Sequence, residues 1–175
     1  MTKINLSDKL FEIIVHIVQE YKIFSHIDVT KLQILISRNR KTHKSGILAK
    51  IIGRKEIPAG YSISHFPAGK LYLIYFYWPR FFEYNFNQKA DVIFHELYHI
   101  SEEFDGSFRK FGKLYHGKNK NDFDKEYKSY LQEFIDYHNQ KPVNNAVLTM
   151  NAVEMKKKYE IRGNLYKLPR LMKKK

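Results

Sequence analysis

Leu71-Tyr72-Leu73-Ile74-Tyr75-Phe76-Tyr77-Trp78 is an unbroken run of aromatic and branched residues, bounded by Gly69-Lys70 before it and Pro79 after it. Such residues favour extended backbone, where a bulky side chain packs on a pleated surface. A half-solvated strand alternates apolar with polar positions; this run does not, so it reads as a strand buried on both faces. A strand of that kind needs neighbours beside it and layers above and below it, which points to a mixed α+β chain.

The layers are legible on either side. Ser7-Asp8 can cap a helix, and Leu10, Ile13, Ile14, Ile17, Val18 and Tyr21 follow at helical spacing, so residues 8–22 are expected to be an amphipathic helix. Residues 27–37 are β-rich and predict a first strand, and Tyr61 to Phe66, between two Pro-Ala-Gly turns, a second. Asn87 is the expected N-cap of a helix running to about Glu103, with Ala90, Ile93, Phe94, Leu97 and Ile100 inward. A last long helix is expected from Asp122 or Asp124 through His138. Tyr159 to Pro169 is expected to form a small hairpin about Gly163-Asn164, with Lys173 to Lys175 a frayed end.

Inside the 87–103 helix lies His95-Glu96-Leu97-Tyr98-His99. At roughly 100° and 1.5 Å per residue, the two histidines share a face one turn apart, so both imidazoles can reach a single metal ion. That is zinc-ligand spacing, and Glu96, next to His95 around the helix, is placed to touch a water held by the metal, the position of a general base. Asp91, four residues before His95, reads either as a partner for a ligand imidazole or as a helix N-terminal charge.

The chain has no cysteine, so any zinc must be held by nitrogen and oxygen. A catalytic zinc normally takes three protein ligands and keeps one open position. The downstream candidates are Glu102, Glu103, Asp105, His116, Glu126, Glu133 and His138. Glu103 shares the His99 face but lies too far along the same axis. His116 is the preferred third ligand, because it follows a turn that can bring the chain back over the metal and Gly117 permits irregular backbone there. Tyr115 and Arg109 are candidates for stabilising an oxyanion.

Formal net charge is +13 over 175 residues, which favours contact with polyanions. Two segments concentrate it. Residues 38–55, expected to be loop and short helix, carry seven basic residues and no acid, and residues 142–175 carry nine against Glu154 and Glu160. The composition shift at Pro142 suggests a division into residues 1–141 and a basic extension over 142–175. The apolar stretch from Leu10 to Val18 is short and interrupted by Glu12 and His16, and the N-terminus has no signal-peptide design. A soluble, cytoplasmic protein with no membrane partner is the expectation.

Phe24-Ser-His-Ile-Asp28, Ala49-Lys-Ile-Ile-Gly53, Tyr77-Trp-Pro-Arg-Phe81, Phe94-His-Glu-Leu-Tyr-His-Ile100, Phe104-Asp-Gly106, Arg109 and Tyr115-His-Gly117 together carry a family likeness. Over residues 5 to about 140 the chain resembles the phage and prokaryotic metallopeptidases, a zincin group akin to the SprT-like and Spartan proteases. The resemblance implies a zincin-like α+β fold, in which a small mixed sheet packs on the active-site helix between an N-terminal and a C-terminal helix. It also implies one zinc per chain on His95, His99 and His116, and a protein or peptide substrate. The Leu71 to Trp78 strand, just before the helix, is then a candidate edge for an extended substrate. The tail lacks the cysteine zinc modules of Spartan-type chains. The rival reading is a basic nucleic-acid-binding protein, or an inactive zincin serving as a binding module, with nucleic acid contacted through segments 38–55 and 142–175.

Overall fold

A computed structural model describes residues 2–38, 46–110, 120–142, 145–161 and 165–174. In chain order the elements are β1 (Thr2–Ile4), α1 (Leu6–Glu20), β2 (Leu32–Arg38), β3 (Ala49–Gly53), β4 (Tyr61–Ile63) and β5 (Tyr72–Trp78). After them come α2 (Phe86–Tyr98), α3 (Lys120–Gln140), α4 (Ala146–Thr149), α5 (Ala152–Lys158), β6 (Tyr159–Ile161), β7 (Leu165–Tyr166) and β8 (Leu171–Lys173).

The apolar run forms β5, and the sheet is built around it. The strand order is β3-β5-β2-β7, with β5 antiparallel to β3 and parallel to β2, and β7 parallel to β2. Tyr72, Ile74 and Phe76 face the main core with the apolar stripes of α1, α2 and α3. Leu73 and Tyr75 face the other way, into a smaller cluster with Leu35, Ile63, Phe66 and Tyr166. Both faces of β5 are covered, as its composition requires.

Helix boundaries follow the caps. α1 starts two residues earlier than expected because the Asn5 side chain, not Ser7 or Asp8, accepts the N–H groups of Ser7 (3.1 Å) and Asp8 (3.3 Å). α2 likewise starts at Phe86: Asn85 accepts from Gln88 N–H while Gln88 accepts from Asn85 N–H, a reciprocal capping box. It also stops at Tyr98, four or five residues short of the expected end, where the chain turns to pair Ile100 with Phe108.

Residues 49–53, expected to be loop or short helix, form β3, with Ala49 and Ile51 buried and Lys50 exposed. That alternation is the strand signal, hidden among the surrounding cations. β4 is shorter than expected, ending at Ile63, and pairs with β8, so Lys173 is a strand residue and not a frayed end. The expected turn at Gly163-Asn164 lies outside the described residues, and the strands on either side of it do not pair with each other: β6 pairs with β1 and β7 with β2, both in parallel. The residues after Pro142 contribute Val147, Leu148, Ala152 and Met155 to the main core. The buried Lys89 of α2 donates to the carbonyls of Val147 (3.0 Å), Leu148 (3.4 Å) and Met150 (2.8 Å), tying α2 to α4. Among the described residues no helix is long and apolar enough to cross a membrane.

Candidate metal centre

His95 and Glu96 occupy the last turn of α2, and His99 is its C-cap, with φ −66° and ψ −21°. The near-helical cap keeps the i, i+4 relation intact, so the two imidazoles meet: their Nε2 atoms lie 3.1 Å apart, with ring planes at 90° and centroids 4.7 Å apart. Two nitrogens at about 2.05 Å from a tetrahedral zinc are about 3.3 Å apart, so this pair fits one ion. The donor chemistry fits as well, since neutral imidazole is a common zinc ligand.

Both rings open on a cavity of about 550 Å³ that Glu96 also lines, with Ile47, Leu48, Lys50, Val92, Phe108 and Tyr127 among its walls. Glu96 is only 8% exposed. Burial pushes its carboxyl up to about 8, against the pull of the Ile51 main-chain N–H and the nearby Lys50 ammonium. A dication in the cavity would pull further toward the carboxylate.

The Ile51 contact locates the site against the sheet. Among the described residues β3 is an edge strand. Tyr77 N–H donates to the Leu48 carbonyl (2.9 Å), and Lys50 stands opposite Tyr75, so the polar groups of residues 48, 50 and 52 point into the ladder. By the alternation of an antiparallel pair, those of Ala49 and Ile51 point to the outer edge, along the cavity. β5 cannot serve as that edge, because β3 and β2 occupy both of its sides. The sequence expectation of a substrate edge on Leu71 to Trp78 is corrected accordingly: among the described residues, the strand with an open side along the cavity is β3, hidden in the basic segment.

His95, Glu96 and His99 are thus brought together. His116, with Tyr115 and Gly117, lies outside the described residues. Among the described residues no group of three or more His, Asp or Glu could hold a metal ion. Several rival third ligands are engaged elsewhere: Asp105 with Lys55, Ser101 and Ser107, Glu102 with Arg109, and Glu126 with the Tyr98 hydroxyl. His138 stacks on Phe86, at the opposite end of α2, with centroids 3.6 Å apart. Asp91 accepts from the Tyr127 hydroxyl (3.2 Å) and pairs with Lys128 (3.2 Å), so its role is to bind α3 to α2. Arg109 does not line the cavity; its guanidinium lies over the Tyr98 ring, 4.3 Å from the centroid. An oxyanion role for it finds no support there.

Sequence reasoning missed Ile51 and Tyr127 as site residues. The Ala49-Lys50-Ile51 alternation could have revealed β3. Nothing in the α3 stripe distinguishes Tyr127, fully buried, from the core residues around it.

Residues 3–151 match the model of a family described as putative phage metallopeptidase. No curated protein matches the chain, and no solved structure does.

Proposed function

Because the chain belongs to the putative phage metallopeptidase family, we propose that it is a zincin-type, zinc-dependent peptidase in which His95, His99 and His116 hold the metal and Glu96 is the general base. The observation that carries this reading is the 3.1 Å convergence of the His95 and His99 Nε2 atoms beside a buried carboxyl. His116 enters from the sequence alone. A zinc ion held there supplies Lewis-acid activation of water and of the scissile carbonyl.

The chain's own residues do the rest. Glu96 takes a proton from the attacking water on a carboxylate oxygen and returns it to the leaving amine nitrogen. Ile51 N–H holds that carboxylate toward β3. An extended substrate lies along the outer edge of β3, its backbone paired with the Ala49 N–H and the Ala49 and Ile51 carbonyls, its side chains among Ile47, Leu48, Val92 and Phe108. The test is cleavage of an unstructured protein such as casein by the zinc-loaded chain. Hydrolysis is expected, with a loss of at least about 100-fold in Glu96→Gln at unchanged zinc content; equal cleavage by the variant removes Glu96 from the reaction.

A second reading, contact with nucleic acid, is favoured by one feature. Segments 57–82 and 161–175 contain no Asp or Glu, and β4 and β8 from these segments pair with exposed Lys167, Arg170, Lys173 and Lys174 nearby. That reading predicts salt-sensitive binding of DNA that survives His95→Ala and His99→Ala. Negligible binding at low salt removes it.

A further inference from the structure

Arg109 is a buried cation outside the cavity, only 8% exposed, in the strand-like return after α2. A helix leaves its last carbonyls without intrahelical partners. Here those carbonyls belong to the residues on which the proposed metal site depends. Arg109 Nε donates to the Tyr98 carbonyl (3.1 Å), and Arg109 main-chain N–H donates to the His99 carbonyl (2.8 Å). The guanidinium rests on the Tyr98 ring and pairs with Glu102, whose side chain is largely exposed.

One residue therefore satisfies the carbonyl of the last helical residue through its side chain and that of the C-cap through its main chain, and its positive charge sits at the negative end of the helix dipole. His99 is not inside the helix. As the C-cap it lacks a following turn to fix its backbone, so its ring direction depends on what grips its carbonyl and that of Tyr98. Leu97 and Tyr98 are buried beside it, but packing alone does not set the register of an imidazole against a second one 3.1 Å away.

We propose that the Arg109 side chain is a positioning group for the metal site: by gripping the Tyr98 carbonyl, next to the main-chain bond that Arg109 makes to the His99 carbonyl, it holds the His99 imidazole where it meets that of His95. This rests on the metal reading above, and the test separates the two. Zinc affinity is measured by competition with a chromogenic chelator on wild type, Arg109→Met, Arg109→Lys and Leu10→Ala. The last variant truncates a fully buried α1 residue that does not line the cavity, and serves as a control for lost stability.

The expected result is zinc binding weakened about 10- to 100-fold in Arg109→Met. Arg109→Lys, which keeps the cation but not the fork, is expected in between, and Leu10→Ala within about twofold of wild type. If Arg109→Met does not fold, the comparison is made on Arg109→Lys. Zinc affinity reduced no further by these Arg109 variants than by Leu10→Ala overturns the positioning role and leaves the metal site standing. A wild type that binds no zinc overturns both.

Discussion

The carboxyl of Glu96, at the end of α2, lies beside the main-chain N–H of Ile51 on strand β3, whose dipole draws the carboxyl toward its ionised form. That contact joins the proposed base to the proposed substrate edge, and it turns the outward N–H of Ile51 toward the enzyme's own carboxyl. The edge left for a peptide therefore begins with Ala49.

Ala49 gives a way to test the edge. Its N–H points away from the β5 ladder, so Ala49→Pro removes a donor for substrate without removing a sheet hydrogen bond. The expected outcome is kcat/KM lowered by about tenfold or more, corresponding to a lost backbone hydrogen bond, with zinc content unchanged. Steady-state kinetics beside metal analysis checks it, and unchanged kcat/KM removes β3 as the substrate edge.

Glu96 also makes a prediction about stability in the metal-free chain. Its folded carboxyl titrates at about 8 against an ordinary 4.5. Between those values the folded chain keeps a proton that the unfolded chain has released, so raising pH favours unfolding. Metal-free Glu96→Gln, which has no such proton to lose, should be more stable than metal-free wild type at pH 8, by on the order of 3–5 kcal/mol, with the gap closing toward pH 4.5. Urea unfolding of both proteins across this range measures it; a constant gap contradicts a raised Glu96.

Gly53 tests the clasp between β3 and the turn after α2. A Cβ there would collide with the Gly106 carbonyl and come within 3.3 Å of the Phe108 ring. The same carbonyl accepts Lys55 N–H (2.9 Å), and Gly106 itself needs φ +90°. Gly53→Ala is expected to cost about 1–3 kcal/mol, roughly 3–10 °C in Tm. A thermal melt within a degree of wild type would show that the turn yields freely.

The parts of this fold that repeat were legible in the sequence. β5 announced itself by composition, α1 and α2 by spacing, and the His95 and His99 pair by its i, i+4 relation. What was not legible depended on contacts distant in sequence. The capping choices of Asn5 and Asn85 turned on which of several adjacent polar residues reached the free N–H groups. β3 was masked by the cations around it, and pairing of β6 with β1 and β7 with β2 cannot be read from either segment alone. Arg109 looked like a group free to face substrate; its burial on Tyr98 is visible only once the chain folds back after His99.

In the proposed centre, His95 and His99 belong to one zinc site closed by His116. Equilibrium dialysis of the metal-free chain against zinc tests it most directly. The expected result is about one zinc per wild-type chain, the same in Glu96→Gln, and binding weakened by well over tenfold in His95→Ala, His99→Ala and His116→Ala. A wild type that takes up no zinc, or a His95→Ala chain that binds it as tightly, would contradict it.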